Sequence, residues 1–170
     1  DVYDLVHGFL SENRPGFDEA VYLLLTGKLP SANELEKFSA YLAGLRELTP
    51  MLTKSMVLSL RGKDVMNMLA RTVLVLYTMD DDPEDMSLQN QLRQALNLIA
   101  KFPTIITYSY YGMLHSFYRK SLIIRHPEMH LSTAENFLHM LKGEAYTPLE
   151  ATILDLVLVL HAEHGGGNNS

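Results

Sequence analysis

Between one Gly or Pro and the next, nearly every stretch of this chain spaces its apolar residues at helical intervals, and three stretches open on a capping box. Ser31-Ala32-Asn33-Glu34, Ser132-Thr133-Ala134-Glu135 and Thr147-Pro148-Leu149-Glu150 each place a hydroxyl where it caps one backbone N–H and a Glu where it reaches back to another. In the third, proline takes the first helical position, where a missing N–H costs nothing. No run shows the sustained two-residue alternation bounded by hairpin dipeptides that a strand pair needs. The chain is therefore expected to be all-α, with about nine helices, at 2–9, 16–26, 31–47, 50–61, 63–79, 87–101, 103–119, 132–142 and 147–163. Gly27, Gly62 and Gly143 stand where C-terminal caps belong, and Pro30, Pro103 and Pro148 where new helices begin.

A length of 170 residues, 47% of them hydrophobic and spread throughout, suits one domain or one part of a larger one. The apolar run 153–160 is interrupted by Asp155 and falls well short of the roughly 20 residues that span a bilayer, so no transmembrane helix is expected. With no cysteine there are no disulfides and no thiolate metal sites. A net charge of −6 without any cluster of Lys and Arg argues against nucleic acid, since nothing would neutralise the phosphates. The start, Asp1-Val2-Tyr3, carries no targeting signal and reads as a truncated or processed beginning. The acidic run 80–85 reads as a solvated connector, because the ligand spacing and central glycine of an EF-hand loop are missing.

Two helices stand out. In 103–119 the apolar and tyrosine residues leave hardly any charged face, which suits either a central core helix or a subunit interface. The helix 147–163 is equally apolar and delivers a polar segment, His161-Ala162-Glu163-His164-Gly165-Gly166-Gly167-Asn168-Asn169-Ser170. His161 and His164, three apart, project to a similar side of a helix end whose partial negative charge favours imidazolium, and Gly165 suits a left-handed cap. A protonated His followed by free backbone, the Asn168 amide and the Ser170 hydroxyl can recognise a small anion or a carbonyl. A metal site would need a third ligand from elsewhere, and an ordinary helix end is the remaining reading. The scattered His7, His115, His126, His130 and His139 read as structural residues. Met51, Met56, Met66 and Met68 read as core filler, and Arg71 and Lys101 as cations that could meet anions or simply face solvent.

Four segments in order resemble the citrate synthase family: FDEAVYLLLTGKLPSANELEKF (17–38), LIAKFPTIITYSYY (98–111), STAENFLHMLKGE (132–144) and LHAEHGGGNNS (160–170). The resemblance implies an enzyme that condenses acetyl-CoA with oxaloacetate, using no metal or tightly bound cofactor, with acetyl-CoA as co-substrate. It places His164 and Asn168 on oxaloacetate, gives His161 a supporting role, and makes Ser170 the residue that orients the enol-stabilising His. The same resemblance puts that His, the catalytic Asp, the carboxylate-clamping arginines and the CoA-binding segment beyond residue 170. Residues 1–170 are thus expected to be the N-terminal portion of the large helical domain and to be inactive alone. It also implies a homodimer formed through helix 103–119. The neighbouring alternative is 2-methylcitrate synthase, and the alternative of another class is a non-catalytic helical dimerisation module. Where many members carry His-Pro-Met, this chain has Asp64-Val65-Met66. Bacterial cytoplasm is the expected location, with mitochondria compatible as well.

Overall fold

The computed structural model describes residues 2–163. Eight α-helices occur among them, with no strand: α1 Val2–Ser11, α2 Phe17–Thr26, α3 Ala32–Leu45, α4 Pro50–Lys54, α5 Val65–Thr78, α6 Leu88–Tyr118, α7 Thr133–Lys142 and α8 Pro148–Leu160. A π-helical turn, Ser55–Ser59, continues α4, and a 3₁₀ turn, Gly143–Ala145, follows α7. The all-α expectation holds, and all three capping boxes form. Ser31, Ser132 and Thr147 each accept the N–H of the Glu three residues on, and each Glu carboxylate accepts the N–H of its capping residue. Three further caps are single side chains: Thr49 accepts from Leu52, Asp64 from Asn67 and Ser87 from Asn90. Asp64 thus gives the departure from His-Pro-Met a local role, as the residue that starts α5.

The chain divides into two compact units. One comprises residues 1–43 and 128–170, and its core joins Phe9, Ala20 and Val159, with Leu5, Val6, Phe17 and Leu156 packed against them. Within it α8 packs on α7, α2 and α1. The tightest approach is at Gly16, where an added Cβ would lie 2.2 Å from the Phe9 ring, so only glycine lets the chain enter α2 there. Gly27 ends α2 at φ 75°, as expected of a C-terminal cap.

The other unit, residues 44–127, is built from α4, the π turn, α5 and α6 around Leu48, Leu52, Met56, Val57, Ile105 and Tyr108. Its core corrects three expectations. Met56 and Met68 are fully buried, but Met51 and Met66 are exposed, at 63% and 72%, so only half of the methionine set fills the core. Gly62 caps no helix, because the π turn closes first, with the Leu60 N–H donating to the Ser55 carbonyl at 2.7 Å. Pro103 starts nothing: 87–101 and 103–119 are one helix, α6, with the proline inside it.

Tertiary packing explains the last result. An interior proline costs about 3 kcal/mol through the lost N–H and the clash with the preceding turn. Just beyond it, however, Ile105 and Tyr108 enter the core and the Thr104 hydroxyl donates to the Arg46 carbonyl at 2.9 Å. Only a continuous helix carries these groups in register with buried Leu96 and Ala100. Pro103→Ala is therefore expected to raise stability by about 1–2 kcal/mol, the recovered hydrogen bond outweighing the extra freedom of the unfolded chain. Urea unfolding checks it, and a loss of stability would mean that the proline fits its site without strain.

Candidate functional site

The polar segment that ends the sequence follows α8 in the chain, and a heavily constrained residue of α8 is Asp155. It is buried, and its two oxygens accept the N–H groups of Gly16 at 2.7 Å and of Phe17 at 3.2 Å. Gly16 is the N-cap of α2 and offers no side chain, so a carboxylate 139 positions downstream does the capping. Burial pushes the Asp155 carboxyl above the usual range, the Gly16 and Phe17 N–H groups oppose this, and the charges of Asp18 and Glu135 add to it. Nearby, Asp18 on α2 accepts from the Thr133 hydroxyl of α7 at 2.9 Å, and Arg14 grips Glu19 through two hydrogen bonds of 3.0 and 3.2 Å. The beginning of α2 is thereby fastened to both α7 and α8. A cleft of about 210 Å³ borders these groups, lined by Phe9, Arg14, Ser132, Glu135, Thr152 and Asp155 among others.

In the sequence Asp155 stands out only as an interruption of an apolar run. One acid among Ile153, Leu154, Leu156, Val157 and Leu158 is the signal that could have marked it, since a carboxylate on such a helix needs donors from elsewhere.

At its other end α8 stops at Leu160, earlier than the expected 163, and His161 is the C-cap. Its backbone N–H donates to the Val157 carbonyl at 3.1 Å, and the ring Nδ1 lies 2.8 Å from the same oxygen, which requires a hydrogen on Nδ1. His161 is exposed and closes the helix with its own ring. His164, Gly165, Asn168 and Ser170 lie outside the described residues.

The remaining histidines have local partners. The His7 ring lies 4.2 Å from that of Tyr3, and His115 Nδ1 lies 3.0 Å from the Lys120 carbonyl. His126, His130 and His139 stand 3.9, 3.8 and 3.3 Å from Glu47, Glu128 and Glu144. In the acidic connector, Asp80 pairs with Arg93, Asp85 accepts from Ser87, and both carboxyls are held below their ordinary range by these hydrogen bonds. These carboxylates organise the loop that leads into α6. Among the described residues no helix is long and apolar enough to cross a membrane.

Comparison with known proteins gives one consistent answer. The family model described as "Citrate synthase, C-terminal domain" matches residues 1–170. The citrate synthase of Deinococcus radiodurans is 34% identical over 149 residues, 88% of this chain and 38% of that protein. The 2-methylcitrate synthase of Shewanella oneidensis is 29% identical over 155 residues, 91% of this chain and 39% of the relative. In three dimensions, citrate synthase from Pyrobaculum aerophilum superposes with a TM-score of 0.78 at 27% identity, covering 96% of this chain and 40% of that one. The chain thus spans about two fifths of the length of these relatives. With one family model matching from the first residue to the last and the same helical fold found in a relative's crystal structure, the chain belongs to the citrate synthase family.

Proposed function

We propose that this chain is the oxaloacetate-binding part of a citrate synthase, an acyltransferase that condenses acetyl-CoA with oxaloacetate to give citrate and CoA. The observation that supports the reading is the segment LHAEHGGGNNS, placed after a helix whose buried Asp155 ties it to the start of α2, in a chain of this family. The histidine and amide chemistry suits a small dianion. His164, as imidazolium, would donate to a carboxylate or to the ketone oxygen, and Asn168 would add a neutral donor. Ser170 would hold the histidine that stabilises the enol, while His161, tied to the Val157 carbonyl, would support the segment from behind. The enol forms when a carboxylate removes a proton from the acetyl methyl, and its carbon then attacks the ketone. The groups for that step fall outside the four matching segments, so the 170 residues alone are expected to release no thiol from acetyl-CoA.

In this reading, residues 1–170 are the N-terminal portion of the large helical domain, two copies pair through 103–119, no cofactor is tightly bound, and the protein works in bacterial cytoplasm. The matches to 2-methylcitrate synthases favour one second reading, in which propionyl-CoA replaces acetyl-CoA at the same oxaloacetate site. Turnover of the two thioesters by the enzyme containing this chain separates these readings.

In that enzyme His164→Ala is expected to raise KM for oxaloacetate about ten-fold or more, since a hydrogen bond to a charged partner contributes about 1.5–3 kcal/mol. Steady-state kinetics with oxaloacetate varied checks this. An unchanged KM would remove His164 from the site.

A further inference from the structure

A second cleft, of about 360 Å³, lies in the unit formed by residues 44–127, between α5, the acidic connector and the first half of α6. Its two ends differ in charge. At one, Arg93 pairs with Asp80, the Gln94 amide reaches Asp80 and the Pro83 carbonyl, and exposed Asp81 follows in the chain. Lys101 stands about 12 Å further along α6, at a rise of about 1.5 Å per residue, and so marks the other end. The hydrogen bond from the Thr104 hydroxyl to the Arg46 carbonyl brings the segment before α4 to that end, where Thr49 joins Lys101 in the lining. Leu52, Val73, Leu76 and Leu98 supply an apolar wall.

Lys101 differs from every other lysine among the described residues in being half-buried rather than exposed. Lys28 and Lys142 pair with Glu34 and Glu150, whereas the Lys101 Nζ donates to a neutral acceptor, the Asn97 amide oxygen, at 2.6 Å. As an ammonium it has two further protons to give, and the Thr49 hydroxyl, which accepts the Leu52 N–H, keeps its own proton to donate. The connector does not serve Lys101: Asp80 is taken by Arg93 and by the Asp82 N–H. Burial alone holds the ammonium below the ordinary lysine value, with no carboxylate raising it back. A cation drawn partly out of water without a counter-charge gains most from an anion delivered to it. The wall asks for an apolar body behind that anion, and the Asp80–Asp81 end repels a second negative group. A volume near the lower limit of the usual range for ligand pockets keeps the molecule small.

We propose that this cleft binds a small monocarboxylate with an apolar tail, the carboxylate on Lys101 and Thr49 and the tail along Leu52, Val73, Leu76 and Leu98. Lys101 stays an ammonium throughout, and no bond is made or broken. The proposal uses none of the residues assigned to oxaloacetate and stands or falls apart from them.

The test is calorimetric titration of the full chain at pH 7 with octanoate. One site is expected, with acetate at least about ten-fold weaker because it buries no tail. Octylamine, which meets Lys101 with a like charge, and the dicarboxylate suberate, which sends a second charge to the acidic end, are each expected at least about ten-fold weaker than octanoate. Lys101→Met keeps the length of the side chain without its charge and should weaken octanoate about ten-fold or more, the effect of a lost hydrogen bond to a charged partner. Lys101→Arg keeps the charge and should stay within about three-fold of wild type. An unchanged octanoate affinity in Lys101→Met overturns the proposal, as does octylamine binding as well as octanoate, or no saturation by millimolar octanoate. A loss in Lys101→Arg as large as in Lys101→Met overturns it too, since shape at position 101 and not charge would then govern the cleft.

Discussion

Asp155→Ala is expected to destabilise the protein by about 2–4 kcal/mol, because the Gly16 and Phe17 N–H groups lose their acceptor and a buried donor left unmade costs about 1–3 kcal/mol. The bordering cleft can admit water to one of the two donors, which keeps the effect from reaching the full sum. Asp155→Asn has nearly the same shape but only one acceptor oxygen, so its amide NH₂ would face one of the donors. A loss of about 1–3 kcal/mol follows. The pH dependence distinguishes the charge from the shape. The folded carboxyl is raised above its unfolded value, so between the ordinary carboxylate range and the raised one the native state binds more protons than the unfolded state. Stability from this group is therefore greatest at acidic pH and declines as pH rises through that window. The gap between wild type and Asp155→Asn should narrow over the same interval in urea titrations. A gap that widens with pH would mean that the two N–H donors, and not burial, govern the carboxyl.

Ile105→Ala carries the other large effect, about 2–5 kcal/mol, from the lost burial of a fully enclosed side chain and the cavity left among Leu52, Met56, Val57 and Tyr108. The position lies two residues past Pro103, and its burial is part of what keeps α6 continuous through a proline. Guanidinium unfolding gives the number. A loss below about 1 kcal/mol would mean that the cavity collapses and that another contact, such as the Thr104 hydroxyl on the Arg46 carbonyl, holds the helix together.

These two residues also show what a sequence can and cannot display. The starts of α3, α7 and α8 were legible because a capping box is local: the hydroxyl and the Glu that answer each other lie three residues apart. The caps at Thr49, Asp64 and Ser87 lack the answering Glu and went unmarked, although Thr49-Pro50 repeats the Thr147-Pro148 pattern. Pro103 misled because its local preference is strong, whereas the contacts that overrule it, from Ile105 and Thr104, reach segments about 50 residues away. Asp155 was invisible as a cap for the same reason, its partners being at the far end of the chain. At the candidate site the sequence carried the family resemblance, and His161, His164, Asn168 and Ser170 are proposed from that resemblance, the last three lying outside the described residues. The structure adds that the His161 ring closes its own helix and that α8 is anchored from the side by a buried acid.

The π turn at 55–59 has a consequence for how this chain can change length. The Leu60 N–H reaches the Ser55 carbonyl across five residues, where an ordinary helical turn would span four. Remove one residue between them and the same donor and acceptor could close as an α-helical turn, with Leu52 and Met56 still facing the core behind it. A chain one residue shorter here would keep both flanks in place, so Ser55–Ser59 is a point at which a one-residue deletion can be absorbed without moving the long helix packed against it.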